Sequence, residues 1–183
     1  MARVLVPVAE GSEELETVTI VDLLRRGGVE VVLAGLAEGP VTASRGVVIV
    51  PDCSLDAVKE EDFDMIVLPG GAGGAKRMAA DPRIGSLLRR MIDGGKHTAA
   101  ICAAPAVLAA NGLLGGKRVT SFPGALSGVP NIDYVEDAVV TDGRLVTSRG
   151  PGTAMDFALR LITILCGDRK RSEVEEALQR PSR

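Results

Sequence analysis

Thr98 to Ala110 reads TAAICAAPAVLAA, and the rest of the chain can be arranged around these thirteen residues. Up to Ile101 the side chains are small and apolar, as in a strand buried on both faces of a sheet. Cys102 ends that strand. Pro105 falls where proline is best tolerated, in the first turn of a helix continuing through Val107 and Leu108. A cysteine at such a corner lies near unpaired backbone N–H groups and the positive end of a helix, and both favour thiolate over thiol. The nucleophile elbow uses the same geometry, although its G-x-S-x-G signature is absent. The alternative is a buried cysteine serving as a small hydrophobe. This stretch alone leaves both readings open.

Working outward, Val4 to Ala9 is a short apolar strand, and Gly11-Ser12 starts a turn. Ser12 is placed to cap a helix from Glu13 to about Arg26, which Gly27-Gly28 stops. Val29 to Ala34 completes a strand–helix–strand unit, the start of a parallel sheet. Val41 to Val50, with Ser44-Arg45-Gly46 at its centre, reads as a hairpin or bulged pair on the sheet edge. Ser54 to Glu61 is a short acidic helix. Asp64 to Leu68 is a strand entering the loop PGGAGGAKR. A helical region follows from Lys76, broken near Asp81-Pro82 and resumed to Gly94-Gly95.

Beyond the cysteine helix, Arg118 to Phe122 is a strand, followed by a loop to Asn131. Tyr134 to Thr141 and Arg144 to Ser148 flank Asp142-Gly143, a pair suited to a two-residue hairpin turn. A long apolar helix spans about Thr153 to Cys166. A charged helix follows from Arg169 to Arg180, with Val174 and Leu178 as its apolar face. The pattern is one α/β domain over residues 1–183, doubly wound, with no repeat or linker.

The composition narrows the function. With 183 residues and 46% apolar side chains the chain can bury a core. A net charge of −3 leaves no basic footprint for nucleic acid. Phe63, Phe122, Tyr134 and Phe157 are too few for base stacking. The apolar run in MARVLVPVAEG is too short for a signal peptide, and no stretch approaches the ~18 apolar residues of a membrane span. Cys53, Cys102 and Cys166 are far apart and odd in number, which suits a reducing cytosol better than a disulfide framework or a C-x-x-C metal site. The expectation is a soluble cytoplasmic protein.

Three strand ends carry chemistry-bearing residues. The first is followed by Glu13, Glu14 and Glu16, the middle one by PGGAGG, and the third by Cys102. In open parallel sheets, ligands bind beyond the carboxyl ends of strands near the switch in strand order, so these would share one crevice. The glycine loop fails both G-x-x-x-x-G-K-[ST] and G-x-G-x-x-G, since Ala75, Arg77 and Lys76 occupy required positions. What remains is either a cradle of bare N–H groups for an anion or oxyanion, or a tight turn that glycine permits. Within a helix from Glu13, Glu16 shares a face with Ile20 and Glu14 with Val18, and spacing does not choose between them. First-turn carboxylates also stabilise a helix through its dipole without further function.

His97 precedes Cys102 by five residues at the far end of its strand, roughly 16 Å away at strand rise. It cannot be the base of a Cys–His pair within this chain, which excludes a papain-like mechanism unless a second subunit supplies the histidine. His97 reads as a surface residue at a strand start. Cys166 reads as core, and Cys53 as a turn residue open to oxidation.

Four separated motifs, GSEELET (11–17), LPGG (68–71), AICA (100–103) and SRGPGT (148–153), together resemble the ThiJ/PfpI superfamily. Within it they resemble the parkinsonism-linked deglycase branch that includes bacterial YajL-like members, in order from about Arg3 to Gly167. The resemblance implies a flavodoxin-like sandwich of the class I glutamine amidotransferase kind, and a homodimer. It implies that Cys102 is the reactive cysteine, prone to sulfinic acid, with Glu16 protonated and hydrogen-bonded to its sulfur. The N–H groups of Gly71 and Ala103 match the oxyanion donors, next to Gly70. Arg45, Arg149 and Pro151 match pocket residues, and Arg26 one contributed by the partner subunit. PfpI-type proteases carry histidine where this chain has Ala103, which argues against a protease. Some deglycase-branch members carry a pocket histidine where this chain has Phe122.

The function this implies is a cysteine-dependent, glutathione-independent glyoxalase or deglycase acting on methylglyoxal-type 2-oxoaldehydes or their adducts, without metal or organic cofactor. A redox-sensing binding protein or chaperone, signalling through Cys102 oxidation, is the alternative. A glutamine amidotransferase fails because no histidine–glutamate pair follows the cysteine.

Overall fold

In the computed structural model, which describes residues 1–180, a seven-stranded sheet separates two helical layers. The chain opens with β1 (Arg3–Val8), α1 (Glu14–Arg26) and β2 (Glu30–Gly35), with β1 and β2 parallel in the register Val4↔Val31 and Val6↔Leu33. A two-stranded hairpin, β3 (Val41–Thr42) and β4 (Val48–Ile49), follows. It confirms the expected hairpin but forms its own small sheet rather than an edge of the main one. The edge belongs instead to β5 (Cys53–Ser54), too short for any sequence period to reveal, and α2 (Leu55–Val58) begins directly after it.

Next come β6 (Met65–Leu68), α3 (Ala72–Ala80) and α4 (Pro82–Asp93). α3 starts at Ala72 rather than Lys76, so the glycine-rich stretch is its first turn and not a loop ahead of it. The break at Asp81-Pro82 is real: the Asp81 side chain accepts the Arg83 N–H at 2.9 Å, capping α4. β7 (His97–Ile101) and α5 (Pro105–Ala110) flank Cys102 as expected. β8 (Arg118–Val119) pairs in parallel with β9 (Asp133–Tyr134) in a separate ribbon. Tyr134 is therefore not part of the later hairpin, whose strands are β10 (Val139–Asp142) and β11 (Leu145–Ser148). α6 (Ala154–Cys166) and α7 (Asp168–Ala177) close the described chain.

The sheet order is β10-β11-β7-β6-β1-β2-β5, parallel throughout except at β10. Without the edge strands this is the flavodoxin-like order, with the switch between β1 and β6. Period two sends alternate residues to opposite layers. Val4, Val6, Val8, Val67 and Ile101 pack on the side of α1 and α6, with Ile20, Leu24, Phe157 and Leu161. Leu5, Ile66, Leu68 and Ala100 pack on the side of α2 to α5, with Met78, Ile84, Leu88 and Leu108. Both faces of the central strands are thus dry, which explains their unbroken apolar sequences.

Two single-residue expectations are corrected here. The Ser12 hydroxyl accepts the Ala9 N–H at 3.1 Å and caps the turn below it; Glu13 occupies the N-cap position of α1 without a side-chain capping bond. Cys166 is exposed rather than core, because it ends α6 on the side turned away from the sheet.

Candidate active site

Cys102 follows β7 with φ 63°, in the left-handed region that disfavours any residue with a Cβ. The surroundings hold it there: its N–H donates to the Ser148 carbonyl at 3.0 Å, and its own carbonyl accepts the Phe122 N–H at 2.8 Å. A residue forced into this region costs about 1–3 kcal/mol and persists only where neighbours over-determine it. The corner inferred from the sequence is therefore real. Cys102 is 8% exposed, with its opening toward a cleft of about 500 Å³ at the carboxyl ends of β1, β6 and β7.

Of the three early carboxylates, Glu16 is the one that reaches the sulfur. It is fully buried, and its Oε2 accepts the Gly70 N–H at 2.8 Å. Oε1 is buried without a well-formed hydrogen bond, yet the carboxyl lies close enough to Cys102 for each group to shift the other. Glu14 turns instead to the β3–β4 hairpin. It accepts from the Ser44 hydroxyl at 2.8 Å and the Arg45 N–H at 2.8 Å, so it ties down the segment that carries Arg45. Glu13 also accepts from the Ser44 hydroxyl, at 2.7 Å, and lines the cleft. Its N-cap position, one residue before the helix, was the available signal for that role.

The glycines serve close packing and donor geometry together. A Cβ on Gly70 would lie 2.6 Å from the Cβ of Cys102 and 2.6 Å from Glu16 Oε2. Gly71 has φ 86°, and a Cβ there would strike the Gly11 carbonyl and the Glu13 N–H. Gly74 lies against Ser12 with no space for a side chain. The bare turn thus brings the Gly71 N–H to the sulfur of Cys102, where the Ala103 N–H also points. Tight turn and N–H cradle are the same feature.

The electrostatics run against the expectation that the corner favours thiolate over thiol. Burial pushes Glu16 up to about 7, against the Gly70 N–H, which favours the charged form. Burial and the neighbouring Glu16 charge push the Cys102 thiol up to about 12, against the N–H groups of Gly71 and Ala103. Desolvation outweighs the dipole argument, since α5 starts only at Pro105 and is six residues long. The two groups titrate as a pair, and the first proton leaves that pair near neutrality.

Arg45, Gly71, Ala103, Phe122 and Pro151 line the cleft with Cys102. Phe122 gives the cleft an aromatic wall. The Pro151 turn is held by Thr153, whose hydroxyl accepts the Gly150 N–H at 3.1 Å and contacts the Ser148 hydroxyl at 2.7 Å. Arg149 is not brought into the cleft; it pairs with Glu136 at 3.6 Å. Arg26 also lies outside its own chain's cleft, paired with Asp22 at 2.7 Å on the exposed side of α1. His97 begins β7 at the opposite end of the sheet from Cys102, half-buried, with burial lowering its basicity. No cluster of three or more His, Cys, Asp or Glu among the described residues is placed to hold a metal ion, and no described helix is long and apolar enough to cross a membrane.

Comparison with known proteins agrees with this fold. Protein dj-1beta of Drosophila melanogaster is 49% identical over 177 residues, covering 95% of each chain. The crystal structure of Drosophila melanogaster DJ-1beta superposes with a TM-score of 0.96 over 99% of both chains, at 46% identity. A Caenorhabditis elegans relative named glutathione-independent glyoxalase DJR-1.2 is 40% identical over 97% of this chain and 95% of its own. The model of the DJ-1/PfpI family matches residues 2–164. With a match across nearly all of its length and relatives above 40% identity, the chain belongs to the DJ-1/PfpI family.

Proposed function

We propose that the protein is a cofactor-independent glyoxalase-type enzyme acting on small 2-oxoaldehydes such as methylglyoxal, or on their early adducts with amines and thiols. The observation that carries this reading is the Cys102–Glu16 pair, a buried carboxyl held by the Gly70 N–H beside the sulfur. A carboxyl pushed up to about 7 is matched to proton transfer at neutral pH. The name of the C. elegans relative supports the same reaction class.

The thiol proton passes to Glu16 as the sulfur bonds to the aldehyde carbon, giving a hemithioacetal. The N–H groups of Gly71 and Ala103 stabilise the negative oxygen. Glu16 returns its proton to that oxygen. As a carboxylate again, it takes the proton from the former aldehyde carbon and delivers it to the adjacent carbon through an enediol, with the hydroxyl protons redistributed between the two oxygens, leaving a 2-hydroxyacyl thioester on Cys102. Water cleaves the thioester and restores the thiol, so the sum is aldehyde plus one water to hydroxy acid. Phe122 and Pro151 offer an apolar wall for the methyl group, and Arg45 a cation at the rim.

This reading includes a cytosolic homodimer. Three unpaired cysteines suit a reducing compartment. Leu15 and Val18 of α1 and Val48 and Val50 near β4 are exposed apolar side chains, and Arg26 follows Leu15 and Val18 along the same exposed stripe. A second copy on that face would bring Arg26 toward the other subunit's cleft.

Lactate formation from methylglyoxal, measured for wild type, Cys102→Ala and Glu16→Gln, tests the assignment. Cys102→Ala should abolish turnover, and Glu16→Gln should lower kcat by about a hundredfold or more. Equal activity in all three would sink it.

A further inference from the structure

A second cavity, of about 320 Å³, opens at the amino ends of β7 and β11, the opposite end of the sheet from Cys102. It lies between the C-terminal ends of α4 and α5 and the turn joining β10 to β11. Its volume falls in the range of small-ligand pockets. Leu108 and Leu145 form a buried apolar floor, and Ile92 of α4 and Leu113, just after α5, extend it.

Thr98 also lines this cavity and is only 4% exposed. Its backbone N–H donates to the Arg144 carbonyl at 3.0 Å, but its hydroxyl has no hydrogen-bond partner among the described residues. That oxygen is open to the cavity, so its O–H is free to donate to an acceptor bound there.

The rim carries three cations, Lys96, Lys117 and Arg144, against one carboxylate, Asp142. Lys96 is bridged to Asp64 at 3.1 Å and Lys117 to Asp142 at 3.4 Å. The Arg144 side chain makes no ion pair or hydrogen bond among the described residues and is exposed at the mouth. Helix C-termini repel anions, but here the last carbonyls are occupied. Those of Met91 and Ile92 accept from Lys96 and Gly95, and those of Leu108 and Ala109 from Leu113 and Gly112. The side-chain cations therefore set the sign of the site.

We propose that this cavity binds a small amphipathic carboxylate, with its anionic end on Arg144 and the Thr98 hydroxyl and its hydrocarbon body on Leu108, Leu113 and Leu145. A planar guanidinium and a hydroxyl donor match the two oxygens of a carboxylate. The apolar floor requires a chain or ring behind it, which excludes acetate-sized anions. The site is independent of the Cys102 chemistry.

Amide-resolved NMR titration tests this with hexanoate, hexan-1-ol and acetate as probes, on wild type, Arg144→Gln and Thr98→Val. Hexanoate should saturate with shifts centred on Thr98, Leu108 and Leu145. Hexan-1-ol, acetate and the Arg144→Gln variant should each bind at least about tenfold more weakly, and Thr98→Val should weaken hexanoate severalfold. Failure of hexanoate to saturate below ~20 mM overturns the proposal. So does equal affinity for hexan-1-ol or acetate, an unchanged affinity in Arg144→Gln, or shifts centred on Cys102.

Discussion

Cys102 occupies a backbone conformation that suits glycine, and this inverts the usual effect of substitution. In a strand or helix, alanine is more stable than glycine by roughly 0.5–1 kcal/mol. At φ 63° alanine keeps the strain of its Cβ while glycine releases it, so Cys102→Gly should melt at or above the temperature of Cys102→Ala. A calorimetric scan of the two variants checks the order. Glu16 gives a second prediction. Burial raises its folded-state pKa to about 7 from an ordinary 4.5, so its stabilising contribution is full below about 4.5 and is lost as pH rises through 7. Glu16→Gln, neutral at every pH, should therefore be more stable than wild type at pH 8 by up to about 3 kcal/mol, with the gap closed near pH 4.5. Urea melts across that range would read it. Helical spacing placed Glu14 and Glu16 on different faces but could not say which face met the sheet. That depended on where Gly70 and Ser44 arrive, 54 and 30 residues further on. The sign of the Cys102 shift was equally out of reach, because burial is a property of the finished pocket.

The tip of the β3–β4 hairpin is anchored by the buried Glu14 side chain, which accepts the N–H groups of Arg45 and Val47. Although burial pushes the Glu14 carboxyl up, hydrogen bonds from Ser44 and the N–H groups of Arg45 and Val47 bring it below its ordinary range. A depressed carboxylate stabilises above its unfolded pKa, and that contribution fades as pH falls through the folded value. Amide protection at Arg45 and Val47 should therefore fall in acid before that of the central strands, and Glu14→Ala should lower it at pH 7. Hydrogen exchange by mass spectrometry or NMR resolves both. Elements with a long period were legible: α1, α4, α6 and the four central strands fall within a few residues of their expected positions. The exceptions have physical causes. β5 and β9 are two residues each and leave no periodicity. The start of α3 was hidden because Gly73 and Gly74 lower helix propensity, and only the Gly11-Ser12 turn packed against them explains their presence.

At the scale of the molecule, the exposed apolar side chains of α1 and the hairpin bear on assembly. A charge placed among them, as in Val18→Asp, should convert the proposed dimer to monomer in sedimentation velocity while leaving the fold intact, since Val18 is 53% exposed in the single chain. An unchanged sedimentation coefficient would remove that face as the interface. The sandwich architecture followed from the order of strands and helices in the sequence, whereas the crossing of the chain at β1 and β6 had to be seen. That crossing has a consequence in time. The cleft takes residues from segments as far apart as Gly11, Arg45, Gly71, Cys102, Phe122 and Pro151, and the carbonyl that orients Cys102 belongs to Ser148, 46 residues after it. Contacts this distant in sequence close late in folding. A ribosome that has released the cysteine has therefore not yet released the residues that shield it, and for that interval the thiol is an ordinary one.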